Sequence, residues 1–287
     1  MSLTIILNSN NVVNNGLNTQ FTYAFPQGGF KIEKDAEMCI SNLTIPYSWY
    51  NVNAQYYNNA SFSYNFPDAN GDMITFNVNL PNGYYTTADI NQYLQTQFIS
   101  NNQYLVNADG QYVYYMEMIT NPTYYAIQVI CYALPTSLPS GYTNPAYMAF
   151  PPTTKTPQLV ILNNNFGNLI GYSSGSYPTT PQTSNQSFLS NGVPNATPVN
   201  SLILRTNLVD NPVSMPSDIL DSIPITSEFG FNITYEPTFG KFIKIKKGNY
   251  AFMTLTIYDQ NLNPVPARDP NSLITLLLRF HNTDNDK

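Results

Sequence analysis

Four runs near the C-terminus decide the fold: FNITY at Phe231–Tyr235, KFIKI at Lys241–Ile245, YAFMTLTIY at Tyr250–Tyr258 and LITLLLRF at Leu273–Phe280. Their Phe, Ile, Tyr, Thr and Leu favour a pleated, half-buried backbone. Turn formers separate them: Gly230, Pro237, Gly240, Lys246-Lys247-Gly248-Asn249 and the Asp259–Asn271 loop. From Asp218 to Phe280 the chain therefore reads as strand and turn throughout, and nothing in that stretch has the pattern of a reaction centre. The last run is apolar on both faces, which predicts cover on both sides: one from an opposing sheet, the other from an insertion or a neighbouring subunit.

Working upstream, the same signals predict strands at 201–208, 158–162, 123–133, 111–118, 73–80, 60–66, 36–45, 20–25 and 3–7. Asp68-Ala69-Asn70-Gly71-Asp72 joins two of them as a turn with Gly available for positive φ. One helix is predicted, Thr87–Ser100. Thr86 or Thr87 caps it, Asp89 lies in the first turn, and Ile90, Tyr93, Leu94 and Phe98 share a face. The stretch 134–157 is rich in Pro, Ser, Thr and Tyr with weak periodicity, 173–198 is a second polar stretch, and loops of this length in a β domain usually carry contacts. The fold expected is all-β: a single jelly roll over 1–287, two packed antiparallel sheets with Greek-key connections, one helix, and a loop-rich insertion within 134–200.

Composition narrows the function classes. The chain has 287 residues, enough for a full core, with 23 Tyr, 22 Pro and a marked excess of Asn. Charged residues make up 10%, against about 25% in typical soluble domains. AT-rich coding sequence and a surface made polar by amides both account for the Asn. Tyrosine supplies contact area with few rotamers to freeze, which suits large protein contacts. A net charge of −6 and a pI near 4.6 argue against nucleic-acid binding. The one basic cluster, Lys241, Lys244, Lys246 and Lys247, reads as a solvated edge or a contact to an acidic partner. Met1–Asn10 lacks the positive start of a signal peptide, and no apolar run approaches the length of about 18 residues that suggests a membrane span. Synthesis in a reducing cytosol is expected, with the five Asn-x-Ser/Thr sequons (Asn42, Asn59, Asn185, Asn195, Asn232) arising by chance.

No catalytic, cofactor-binding or metal-binding residues are assigned, no cofactor is expected, and the chain does not read as an enzyme. A Ser-His-Asp or Cys-His unit would have to use the single histidine, His281, six residues from the C-terminus. Cys39 and Cys131 read as buried free thiols. Asp68, Asn70 and Asp72 open like a calcium loop, but no distal Glu completes it. Glu117, Glu228 and Glu236 could serve a glycoside hydrolase, yet nothing selects a pair. The tyrosine pairs 56–57, 84–85, 114–115 and 124–125 would each place one ring inside and one outside in a strand, compatible with subunit contact or with stacking on carbohydrate. Arg205 fits a contact anchor or a salt bridge to a local Asp.

Several segments together resemble one family. They are Leu80-Pro81-Asn82-Gly83-Tyr84-Tyr85-Thr86 leading into the helix, Phe166-Gly167-Asn168-Leu169-Ile170-Gly171-Tyr172 with Ser176-Tyr177-Pro178, and Asn200–Val209. Asp221-Ser222-Ile223-Pro224-Ile225, Phe229-Gly230, Tyr235-Glu236-Pro237 and Ile257-Tyr258-Asp259-Gln260 extend the likeness, which covers roughly residues 36–280. The pattern resembles the vertex (penton) and minor capsid proteins of virophages and polinton-like viruses. That resemblance implies a single jelly roll forming a homopentamer at the fivefold vertices of an icosahedral virion, against a double-jelly-roll major capsid protein. The alternative reading is a carbohydrate-binding β-sandwich, a lectin or receptor-binding module.

Overall fold

The structure is a computed structural model, and it describes residues 2–13, 16–26, 29–33 and 35–281. The chain begins with strands β1 (Ser2–Leu7), β2 (Gln20–Ala24), β3 (Phe30–Ile32) and β4 (Ala36–Pro46). Next come β5 (Ser61–Pro67), β6 (Met73–Asn79), helix α1 (Thr87–Ser100), β7 (Leu105–Val106), β8 (Tyr112–Val113), β9 (Met116–Asn121) and β10 (Ala126–Cys131). The middle ends with β11 (Gln158–Ile161), helix α2 (Asn164–Ile170), β12 (Gly175–Tyr177) and β13 (Gln186–Leu189). The remainder holds β14 (Ser201–Thr206), β15 (Ile219–Pro224), β16 (Asn232–Tyr235), β17 (Ile243–Lys244), β18 (Gly248–Tyr250), β19 (Phe252–Tyr258) and β20 (Leu273–Phe280).

These elements fall into two compact units, one joining Met1–Trp49 to Val199–Lys287 and the other made of Tyr50–Pro198. The second unit begins far upstream of the 134–200 stretch where the loops predicted an insertion. Its first strands, β5 and β6, carry the same kind of apolar run as the strands before them, so no seam shows in the sequence at Trp49.

In the first unit β1 pairs with β20, β2 with β19, β4 with β16 and β14 with β15, all antiparallel. First meets last and so on inward, which makes one long ribbon. Two more antiparallel joins, β20 to β4 and β19 to β14, roll that ribbon into the orders β1-β20-β4-β16 and β15-β14-β19-β2. Eight strands arranged this way form a jelly roll, the predicted architecture. β17 extends the first sheet by pairing with the start of β4, and β3 pairs with β18.

Strand alternation makes the core. Along β20, Ile274, Leu276 and Leu278 are fully buried, and each contributes about 1.5–3 kcal/mol by leaving water. The other sheet buries Phe21, Leu204, Met253, Leu255 and Ile257. The register of β20 against β4 shifts between Thr275 and Leu276, where Asn42 and Ile40 are the successive partners. This bulge at Ser41 leaves that residue exposed and returns Leu43 and Ile45 to the core. The outward side of β20 is covered in part from within the same unit, and Leu273 on that side stays 44% exposed. Phe242, at the end of the 236–242 excursion from β16, lies with its ring centre 3.9 Å from the Arg279 guanidinium carbon. Gly240 sits so close to Cys39 that an added Cβ would come 2.9 Å from Sγ. On the core-facing side, at the end of β20, Phe280 meets the edge of Phe30 at 6.1 Å.

The second unit has a four-stranded sheet, β12-β11-β5-β6, and a three-stranded one, β13-β10-β9. Its core gathers Phe62, Tyr64, Phe66, Leu94, Phe98, Leu159, Phe166 and Ile170. Phe62 stacks on Phe166 at 4.6 Å, and Tyr64 meets Phe98 edge-on at 4.9 Å. Helix α1 has the bounds and cap predicted. The Thr86 hydroxyl accepts from Asp89 N, the Asp89 carboxylate accepts from Thr86 N, and Ile90, Leu94 and Phe98 are buried. A second helix, α2, is present beside the single one expected. Asn163 caps its start and Gly171, at φ 78°, ends it. Asparagine is a poor helix former but a good cap, so an Asn run concealed the Phe166, Leu169 and Ile170 face.

Candidate functional site

The residues with chemical potential do not converge. Among the described residues, no group of three or more His, Cys, Asp and Glu is placed to hold a metal. Asp68, Asn70 and Asp72 form the β5–β6 turn: the Asp68 carboxylate accepts from the backbone N–H of Asn70 and Asp72 at 2.9 and 2.8 Å, and Gly71 takes φ 83°. This is a hairpin turn rather than a cation loop. Glu117 accepts a hydrogen bond from the Tyr132 hydroxyl, whose pKa is pushed up to about 12 by burial and then by that carboxylate. Glu228 and Glu236 are exposed and belong to the other unit. Cys39 and Cys131 are buried free thiols, and burial pushes Cys131 up to about 12.

Several charged groups of the jelly roll are tied into local pairs. Arg205 donates Nε and Nη2 to the two Asp218 oxygens at 2.8 and 2.9 Å, with its guanidinium 4.9 Å from the Tyr258 ring centre. That settles its two readings in favour of a salt bridge to a nearby Asp. Asp218 in turn raises the Arg205 pKa. Of the lysine cluster, Lys241 donates to buried Asp221 at 3.0 Å, where Tyr235 also donates at 2.9 Å, and Lys247 pairs with Asp35 at 3.0 Å. His281 Nε2 lies 3.0 Å from Glu37 Oε2, which also accepts from Arg279 at 2.7 Å. Hydrogen bonds from Arg279 and then His281 hold Glu37 below the usual carboxylate range.

The tyrosine pairs depart from the strand reading. None lies within a strand of the second unit; Tyr84 and Tyr85 lead into α1, and Tyr124 and Tyr125 form the β9–β10 turn, 67% and 73% exposed. Tyr125 is held at φ 49°, in the left-handed region.

Contact surface is the more evident feature of the jelly roll. The β14–β15 loop carries Val213 and Met215, 93% and 96% exposed, and Phe239 is 84% exposed. The loop is fixed by its own bonds. Asn211 N donates to Ser217 O at 2.7 Å, and Ser214 Oγ donates to Pro216 O at 2.9 Å. Two apolar side chains held out on an ordered loop are suited to contact with another chain. Sequence reasoning missed them because Asn211, Pro212, Ser214 and Pro216 break any strand or helix period; the pair of apolar residues among breakers was the only signal.

No known protein family and no curated protein matches the sequence. Among solved structures, the chain is similar to the crystal structure of the selenomethionine-labelled mavirus penton protein: 10% identity, TM-score 0.44, over 97% of this chain and 97% of that one. It is also similar to a chain of the Sputnik virophage cryo-EM structure, at 14% identity and TM-score 0.40, over 98% of this chain and 97% of that one. At such identity and superposition neither likeness assigns this chain a role, and the jelly roll stands on the strand order itself.

Proposed function

We propose that this chain is a structural capsid protein that closes the fivefold vertices of an icosahedral virion as a homopentamer. Its partners are further copies of itself and a surrounding double-jelly-roll major capsid protein, with synthesis in the host cytoplasm. The observation that carries the reading is the complete eight-strand jelly roll, an architecture of viral capsids and lectins, joined to the ordered sequence motifs that resemble vertex proteins. Ring closure is a heterologous contact, one flank of a copy meeting a different flank of the next. Loops that hold Val213, Met215 and Phe239 in solvent supply apolar area for it. In this reading 1–287 acts as one structural module, with the Tyr50–Pro198 unit as its decoration.

Light scattering on the recombinant protein, with negative-stain images of the same sample, tests the stoichiometry. Five copies of the 32.2 kDa chain in a closed ring are expected. Particles assembled without this chain are expected to lack their vertices; intact vertices in such particles would overturn the proposal.

A further inference from the structure

We infer that the Tyr50–Pro198 unit carries a binding site for a neutral saccharide, centred on a tyrosine-lined cavity beside the start of α1. The cavity has a volume of about 410 Å³. Tyr84 and Tyr85 form one side, Pro122 and Tyr125 of the β9–β10 turn form another, and Thr87 and Thr120 add hydroxyl groups. Pro194 and Ala196 close it. The same short segment walls a second hollow of about 270 Å³, to which it contributes Asn195 and Pro198. That hollow is lined with amides, including Asn168 and Asn195, beside the half-exposed ring of Tyr56. Asn195 N donates to Asn168 O at 3.0 Å, which holds the two exposed residues side by side.

The chemistry of the lining selects the ligand. No Asp, Glu, Lys, Arg or His lines either hollow, so neither site compensates a ligand charge. A pyranose ring has an apolar C–H face and a rim of hydroxyl groups. Tyrosine rings present flat apolar area with a polar tip to the first. Amides, each with donors and an acceptor, match the second. Concave sites that are mostly apolar with a few fixed polar groups are the usual form of small-ligand sites. A Pro-rich peptide would also use an aromatic groove, but it leaves the amide hollow without a partner.

The test is binding of the full-length protein to an array of neutral and charged glycans, followed by saturation-transfer NMR with the neutral sugars that bind. Tyr125→Ala and Tyr84→Ala are expected to weaken neutral-glycan binding by about tenfold or more. Tyr124→Ala, on the same turn but outside the cavity, is expected to leave it unchanged, which separates the site from general damage to the turn. Absence of neutral-glycan binding overturns the inference. So does binding that survives both cavity substitutions, binding that falls equally in Tyr124→Ala, or a preference for Pro-rich peptides over sugars. The inference is independent of the vertex proposal, because the isolated chain is assayed; particles that keep their vertices without this protein would overturn that proposal alone.

Discussion

Glu37 sits where two strand ends place Arg279 and His281 against one carboxylate oxygen. Its folded pKa is depressed, so its stabilising effect is present above the unfolded value of about 4.3 and is lost as pH falls through the folded value. Glu37→Gln is expected to cost under about 1 kcal/mol at neutral pH and to flatten the acid side of the stability profile, read as urea midpoints from pH 2 to 7. Arg205 and Asp218 form a two-pronged pair that is about a quarter exposed. A double-mutant cycle with Arg205→Ala and Asp218→Ala is expected to show a coupling of about 0.5–3 kcal/mol; zero coupling would mean the pair only decorates the sheet. Gly167 has a stricter demand, since a Cβ there would come 2.3 Å from the Tyr172 carbonyl oxygen. Gly167→Ala is expected to lower the melting temperature of the second unit, measured by calorimetry, because backbone rather than a mobile side chain must move.

Elements differ in how plainly they can be read. β20 and α1 match their predicted spans end to end, because each has a sustained period and a chemical stop: Phe280 precedes polar residues, and Thr86 with Asp89 closes a capping box. Thr86→Ala should remove that box and destabilise the unit by about 0.5–2 kcal/mol, visible as a lower urea midpoint with unchanged slope. Short strands were less legible. Lys241–Ile245 has a strand-like pattern, yet only Ile243 and Lys244 pair with β4, since the excursion before them folds over Cys39 and Arg279. Helix α2 was hidden by Asn163, Asn164 and Asn165, whose propensity opposes helix while the cap position favours it. The tyrosine cavity was beyond reach for another reason: Tyr84, Tyr125 and Pro194 come together only through the fold. Their proximity leaves no trace in spacing, although the abundance of paired tyrosines did point to stacking or contact.

At the scale of the whole chain, the all-β class was legible, but the strand count was not, since β15 at Ile219–Pro224 and several short strands were not among the predicted runs; nor was the pairing, because every join in the jelly roll except β14–β15 spans a long stretch of sequence. The vertex proposal makes a prediction at this scale. Val213→Asp combined with Met215→Asp should abolish the oligomer in light scattering while leaving thermal stability nearly unchanged, since both side chains are almost fully in solvent. The ribbon of first-with-last pairing has a further consequence, for synthesis. β1 has no partner until β20 is made, so the N-terminal strands must leave the ribosome unpaired. The Tyr50–Pro198 unit contains all of its own sheets and is complete long before translation ends. Loop closure over most of the chain is slow, whereas local pairing is fast. Protection from proteolysis on stalled nascent chains should therefore appear first in the middle of the protein, and the shell that surrounds it in sequence should form only after the last strand is released.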